Sequence, residues 1–327
     1  MNTRYPLNQP PLYKLQSRKK LAGLLDVTIQ ELEKLVKTPD SQYRQFEKTI
    51  EKNGKFKKRF IEHPKAELRR IQRRLVSLLD RIQPPDYLHS GFRGRSYISN
   101  ARRHGCNLRV AKIDIKSFFP SAYAGYVYRS FEDFFQCSPD VAAVITKLTT
   151  AFNHVPTGGN SSTMISFFAF KSMFDEIFEL SKSRGLTMSC CVDDMTFSGE
   201  AATAGFLNEV HLIVVRYGLK THKRHCFEAE QPKIVTGVAL TPNGIRLPNS
   251  RRKKLHEVIL AFEGETNPQQ KIKLGQQMLG RMTEAAQIEK QFEMFVPLAA
   301  EKLKDAKEFK KSRPDLIFST DTLQSKT

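Results

Sequence analysis

The sequence has no stretch approaching the roughly 18 uninterrupted apolar residues of a membrane span. Its first twenty residues, MNTRYPLNQPPLYKLQSRKK, also lack the apolar run of a signal peptide. A cytoplasmic protein without a membrane partner is expected. The five cysteines, Cys106, Cys137, Cys190, Cys191 and Cys226, are odd in number and form no CxxC pair. That argues against a disulfide framework and against a zinc module, and fits a reducing compartment. Internal repeats and low-complexity linkers are missing too. Acidic residues are scarce: 34 Asp and Glu stand against 53 Lys and Arg, a formal charge of +19. Such a surface attracts a polyanion, with nucleic acid as the leading partner and simple solubility as the alternative.

Hydrophobic residues make up 40% of the 327, enough to bury a core in one large domain or in two to three lobes. Leu21, Leu24, Leu25, Leu32 and Leu35 recur at helical spacing on either side of Asp26, predicting a short helical pair within residues 14–37. Residues 42–63 place aromatic and aliphatic side chains around a basic turn at Asn53 and Gly54, which reads as a hairpin carrying Lys55, Lys57, Lys58 and Arg59. Residues 65–82 form an amphipathic helix with a basic face, ended by Pro84 and Pro85. A short apolar strand, LRVAKIDI, spans residues 108–115, and helix follows Pro120.

One long helical stretch is expected over 161–183, a strand pair around an acidic turn over 186–198, and a helix over 204–217. Strands at 233–240 and 244–247 are joined by Pro242, Asn243 and Gly244. From Ser250 the chain is helical and basic, opening with Arg251, Arg252, Lys253 and Lys254, and reads as a separate helical lobe. Residues after Pro314 are polar and expected to fray. The alternation of strands and helices is of the α+β kind.

Two adjacent aspartates, Asp193 and Asp194, repel one another in a turn unless a cation sits beside them. Asp114 ends another strand and can supply a third carboxylate from the same sheet. Oxygen-only ligands select Mg²⁺ or Mn²⁺ over zinc. A two-ion site of that kind suits phosphoryl transfer, one ion activating a hydroxyl nucleophile and the other holding a triphosphate. An isolated Asp-Asp pair is more often simply solvated, so the surrounding motifs decide.

Those motifs resemble, in order, the motifs of reverse transcriptases and more narrowly of bacterial retron reverse transcriptases, from about Leu21 to about Leu303. IDIKSFFPS, from Ile113 to Ser121, is similar to the family's first catalytic motif. The resemblance makes Asp114 and the backbone of Ile115 metal ligands and Phe119 the aromatic gate under the incoming sugar; the alternative for Phe119 is a core aromatic, one of the Phe118–Phe119 pair facing inward. VPTGGNSS, from Val155 to Ser162, resembles the loop that contacts the incoming base and template, with Thr157 and Gly158 as nucleotide-binding residues and glycines allowing close approach to nucleic acid. CVDD takes the place of the family's Tyr-x-Asp-Asp turn. GLKTHKRH, from Gly218 to His225, resembles the next motif, with Lys223 preferred over Lys220 near the pyrophosphate. VTGVALTPNGIRLP resembles the primer-grip hairpin. Lys57, Lys58 and Arg59 stand where the family places triphosphate-binding cations, a solvated basic turn being the alternative.

NARRH, with Asn100, Ala101 and His104, matches the retron Asn-Ala-x-x-His element, and Val235, Thr236 and Gly237 match its Val-Thr-Gly element. Asn100 and His104 either read an RNA backbone or share a hydrogen bond that holds two lobes together. Arg251, Arg252 and Lys253 are further RNA-binding candidates. Two departures stand out: Cys191 replaces the family's usual tyrosine, and Thr157 stands where a glutamine often follows the proline. Cys190 and Cys191 read as buried strand residues rather than a redox switch.

The resemblance implies a right-hand polymerase of α+β class: an N-terminal helical extension (1–39), fingers (40–107), a palm (108–248) with a fingers insertion around 138–175, a helical thumb (249–315) and a flexible tail (316–327). It leaves no room for an endonuclease, maturase or RNase H segment. It also implies two Mg²⁺ ions, with Mn²⁺ as substitute, dNTPs, a cognate structured noncoding RNA and its cDNA product, priming from a guanosine 2′-hydroxyl, and an effector or toxin partner in antiphage defence. Two other readings stay open: a group II intron-like enzyme with a 3′-hydroxyl primer, and a catalytically silent RNA-binding scaffold for an effector.

Overall fold

Thr28 shows how local chemistry sets the first elements. Its hydroxyl accepts the Glu31 N–H at 3.2 Å while the Glu31 carboxylate accepts the Thr28 N–H at 2.7 Å, a reciprocal cap that starts the helix Ile29–Lys37. The helix Arg18–Leu24 precedes it, so the expected helical pair is present. The computed structural model describes residues 4–52 and 55–312, without the side chains of 50–52, 55, 57, 311 and 312. The expected turn at Asn53 and Gly54, the tail 316–327 and the Lys57 side chain lie outside the described residues. Among those described, no helix is long and apolar enough to cross a membrane.

The chain forms two compact units. One runs up to His104 and continues over Leu108–Ala229; the other comprises Gly105–Asn107 and the residues from Glu230 onward. In the first unit, strands β1 (Tyr43–Lys52) and β2 (Lys55–Pro64) pair as an antiparallel hairpin with Tyr43 opposite Pro64. The helix Ala66–Leu79 follows, burying Leu68, Ile71, Leu75, Leu78 and Leu79 while Arg70 and Arg73 stay exposed. That division of faces is the amphipathic pattern of the sequence made physical.

The main sheet has four antiparallel strands: β3 (Val110–Ile115), β4 (Thr187–Cys191), β5 (Asp194–Ser198) and β6 (Thr221–Phe227), in the order β4-β5-β3-β6. Side chains alternate between its faces. Ala111, Ile113, Ile115, Met188, Cys190, Met195 and Phe197 are buried on one face. The outer edge of β4 is covered by a short segment: His89 donates its N–H to the Cys190 carbonyl, and Cys190 donates to the Tyr87 carbonyl, both at 2.7 Å. Strand β6 was not anticipated, because its polar sequence THKRHCF buries little.

The expected single helix over 161–183 is two helices, Ser162–Ala169 and Lys171–Ser183, broken at Phe170 with φ −120° and ψ 20°. The break sends the Phe170 ring into the core, 5.7 Å from Phe118 and 5.0 Å from Tyr126 between centroids. Phe131, Phe135, Phe168 and Phe174 complete this aromatic cluster.

In the second unit, β7 (Lys233–Val235), β8 (Val238–Thr241) and β9 (Gly244–Arg246) form a three-stranded antiparallel sheet. The strand expected over 233–240 is therefore divided. Thr236 and Gly237 both take positive φ, 45° and 85°, and turn the chain back on itself. Helices Asn249–Gly264, Pro268–Ile288 and Phe295–Ser312 follow, packed through Phe262, Met278, Met282 and Leu303. The architecture is α+β.

Candidate active site

Strand pairing brings the three aspartates together. Asp114, on β3, is the direct cross-strand partner of Asp194, the first residue of β5. Asp193 occupies the turn between β4 and β5, and its carbonyl accepts the Ile115 N–H at 3.0 Å. Its neighbour Val192 is held at φ 65°, a costly conformation for a β-branched residue, with its N–H donated to the Ser90 hydroxyl at 2.9 Å. Ser90 belongs to the segment covering β4, and nothing in the local sequence marks it for this role.

Burial is the main reason Asp193 and Asp194 resist ionisation. It pushes Asp193 up to about 6, with the Asp114 charge adding to the effect. Asp194 is raised by burial as well, opposed by Lys112, whose Nζ lies 3.5 Å away. Lys112 and Asp114 are two residues apart on one strand and so share a face. Lys223 Nζ lies 3.3 Å from Asp114 Oδ2. A bulge explains its placement: Lys112 pairs with His225 but Asp114 pairs with His222, so β6 carries one extra residue, and Lys223 sits within it at φ 52°. His222 Nδ1 is 3.2 Å from Asp114 Oδ1, yet the two are not aligned as a hydrogen bond and both atoms are buried without a hydrogen-bond partner.

Among the described residues, no group of three or more His, Cys, Asp or Glu side chains is closed around a metal position. The donor chemistry nevertheless fits a divalent cation. Three crowded carboxylates, one with an unpartnered buried oxygen and one raised to about 6 by burial and by the Asp114 charge, are the environment that a hard cation stabilises. Here Lys112 and Lys223 supply the positive charge. Cys191 pairs with Asp194 across the β4–β5 hairpin, and burial together with the Asp194 and Asp193 charges raises its thiol to about 11. It is an unreactive thiol, as is Cys190, which is fully buried.

Phe118 is buried and Phe119 half-buried, their centroids 6.0 Å apart, so Phe118 is the inward-facing member. Thr157 and Gly158 lie against the base of the fingers-like hairpin. Gly158 has φ 119°, and a Cβ there would meet Ile61 Cγ2 at 3.0 Å and the Glu62 carbonyl at 3.2 Å. On this side the glycine allows a close approach to the protein's own β2. Arg59 is exposed and pairs with Lys48 across the hairpin; Lys58 faces the other side and meets Glu47 at 3.0 Å.

The NARRH element is interior. Asn100 is 0% exposed and His104 5%. The His104 ring nitrogens each meet a serine hydroxyl, Nδ1 with Ser198 at 2.8 Å and Nε2 with Ser189 at 2.7 Å. Ser189 and Ser198 lie on the same face of the sheet as Asp114 and Asp194, in the rows behind them. His104 therefore braces the strands that carry the aspartates. It is buried, and both of its hydrogen-bond partners belong to the first unit. Burial, followed by charges including those of Arg103 and Lys112, lowers it to about 3, so the imidazole is neutral.

In the second unit, Gly237 makes room for Arg251: a Cβ there would lie 2.4 Å from Nη2. Arg251 also pairs with Glu284. Arg252 reaches both oxygens of Glu289, at 2.6 and 2.8 Å, and the same carboxylate accepts from Arg246 and from the Leu247 N–H. Burial drives the Glu289 carboxyl up, but the Leu247 N–H and the two guanidiniums outweigh it and hold it below its ordinary value. Arg251 and Arg252, expected at RNA, thus make intramolecular ion pairs here; Lys253 is exposed.

No protein-family model matches the chain. The retron Se72 reverse transcriptase of Salmonella heidelberg is 30% identical over 77% of this chain and 68% of its own length. Two Escherichia coli proteins, the retron Ec86 and Ec48 reverse transcriptases, are 26% and 23% identical over 73% and 78% of this chain and 77% and 66% of theirs. A solved Candida albicans telomerase with a telomeric RNA fragment aligns over 89% of this chain and 68% of that one, at 12% identity and a TM-score of 0.45, too slight a likeness to support an inference. The extent of the Salmonella match places the chain among the retron reverse transcriptases, the RNA-directed DNA polymerases of retrons.

Proposed function

We propose that Asp114, Asp193 and Asp194, with the Ile115 backbone, hold two Mg²⁺ ions, for which Mn²⁺ substitutes, and that the enzyme copies part of a structured noncoding RNA into RNA-linked single-stranded DNA. The observation that carries this reading is the direct pairing of Asp114 with Asp194 beside Asp193 in the adjoining turn, with the Asp193 and Asp194 carboxyls both raised. Divalent ions held by these residues would supply charge stabilisation for an attacking hydroxyl, a triphosphate and a leaving pyrophosphate.

The chain's own residues do the rest. Phe119, half-buried against Phe118, presents a ring edge where a 2′-hydroxyl would clash, selecting dNTPs. Lys223, set by the β6 bulge and already at the carboxylates, moves to the phosphates when they arrive. Thr157 and Gly158 contact the incoming nucleotide on the open side of their loop, and Lys57 and Arg59 of the hairpin take up triphosphate charge. Thr236, Gly237 and Lys253 contact RNA, with Val235, 0% exposed, holding their turn from inside, while Arg251 and Arg252 do so only by sharing their guanidiniums with Glu284 and Glu289. The hand is divided into an extension (1–39), fingers (40–107), palm (108–248) and thumb (249–315).

Membership of the retron family supports a reading with priming from a guanosine 2′-hydroxyl, an effector or toxin partner and a role in antiphage defence. Sequencing the nucleic acid that co-purifies with the protein tests the priming: a 2′,5′-linked RNA–DNA branch is expected. Linear products alone would replace this reading with a 3′-hydroxyl primer.

A further inference from the structure

The loop from Pro156 to Ser162 has an open side and a held side. Gly158 and Asn160 are exposed. Beneath them lie two buried polar residues for which metal-dependent nucleotidyl transfer has no use: Glu62 of β2, 3% exposed, and Gln72 of the helix Ala66–Leu79, 0% exposed. Glu62 is joined to Thr157 in both directions. Its carboxylate accepts the Thr157 N–H at 3.0 Å, and its own N–H donates to the Thr157 carbonyl at 2.8 Å. The other carboxylate oxygen faces His154 Nε2 at 3.4 Å. Gln72 accepts the Asn160 N–H at 3.2 Å and donates to the Tyr43 hydroxyl at 2.7 Å and the Leu148 carbonyl at 2.9 Å. Ser162 closes the loop on itself by donating to the Pro156 carbonyl at 2.7 Å.

A buried carboxylate and a buried amide carry a desolvation cost that apolar side chains of similar size do not. Their bonds go to the backbone N–H groups of the loop, at Thr157 and at Asn160, three residues apart. They hold the loop's shape from below and leave its upper surface free. Gly158, pressed against Ile61 and Glu62, removes the slack between loop and hairpin.

We propose that Glu62 and Gln72 are positioning residues for the incoming nucleotide, a two-point clasp that fixes Thr157 and Asn160 on the β1–β2 hairpin. The inference rests on the reading of this loop as a nucleotide contact. It also fixes Arg59, three residues before Glu62 on the same strand, in constant relation to Thr157. The clasp acts on nucleotide binding and leaves the chemical step to the aspartates.

The test is single-nucleotide primer extension by the full-length enzyme, with dNTP KM, kcat, template–primer affinity and melting temperature measured for Glu62→Ala, Glu62→Gln and Thr157→Val. Glu62→Ala should raise the dNTP KM about tenfold, the scale of a lost charge-assisted hydrogen bond, with kcat within about twofold and template–primer affinity unchanged. Glu62→Gln keeps an acceptor for the Thr157 N–H and should recover most of that loss, to about threefold above wild type. If the alanine variant does not fold, the glutamine variant decides alone. A fall in kcat at constant KM, or an alanine KM equal to wild type (a glutamine KM equal to wild type where the alanine variant does not fold), overturns the clasp. If Thr157→Val raises KM while neither Glu62 variant does, the clasp is wrong and the loop reading stands. If none of the three moves KM, the loop reading itself falls.

Discussion

His104 separates two accounts of the NARRH element, one in which it reads RNA and one in which it braces the catalytic strands. Replacing it by alanine leaves the Ser189 and Ser198 hydroxyls without their partner in the interior. Each such orphan costs about 1–3 kcal/mol, and the lost ring leaves a cavity, so about 3–5 kcal/mol of stability should disappear. Glutamine is the more informative change, because it can hydrogen-bond but does not titrate. In the folded protein His104 titrates at about 3, against about 6.5 in an unfolded chain. Between those values the unfolded chain binds a proton that the native state refuses, so acid favours unfolding.

The wild type should therefore lose about 1.4 kcal/mol per pH unit through this group as pH falls below 6.5. At pH 5 the loss is roughly 2 kcal/mol relative to pH 8. Urea unfolding at both pH values is the assay. In His104→Gln the difference between pH 8 and pH 5 should shrink by about 2 kcal/mol, while the folded variant keeps its affinity for the RNA that co-purifies with the enzyme. An unchanged pH dependence, or a tenfold loss of RNA affinity in a folded variant, would refute the bracing role.

Three further outcomes are expected. Asp193→Asn combined with Asp194→Asn should abolish extension of a primer on an RNA template, and surviving activity sinks the assignment of the aspartates. Phe119→Ala should raise ribonucleotide incorporation relative to deoxynucleotide; unchanged discrimination moves the gate to another residue. Glu289→Gln should lower the thermal midpoint by removing a carboxylate shared by Arg246, Arg252 and the Leu247 N–H. The cost is about 2–3 kcal/mol, moderated because both guanidiniums reach solvent. Since the Glu289 carboxyl is held below its ordinary value, its contribution is complete above the normal carboxylate range and fades as pH falls through the depressed value. Glu289→Gln should flatten that acid limb.

Where one face of an element is buried, its pattern was legible. The leucines of Ala66–Leu79 and the apolar alternation of β3 gave their elements directly, because burial forces periodicity. Strand β6 escaped because its exposed side chains impose no pattern, and its pairing is decided by β3. The break at Phe170 escaped for the opposite reason: helix propensity runs continuously through 161–183, and a tertiary aromatic contact overrides it. The turn at Thr236 and Gly237 did carry a signal, a glycine after a β-branched residue, but the apolar run across it reads as one strand.

The same physics divides the active site. Asp193 and Asp194 are neighbours in sequence, and Asp114 ends a strand, so like-charge crowding could be inferred before any fold was known. Lys112 was within reach of the same reasoning, since a residue two positions before Asp114 shares its face. Ser90, Glu62 and His104 were not. His104 meets Ser198 across 94 positions and Glu62 meets Thr157 across 95, separations at which periodicity says nothing about contact. A motif such as NARRH signals only that its residues are needed. Whether a histidine faces RNA or the sheet rows behind the aspartates depends on which elements cover the sheet, and the segment 87–104 covers those rows. The carboxylates proposed to hold the metal are thus found by their mutual repulsion along the chain, whereas the residues that hold them in place are found only once distant strands are paired.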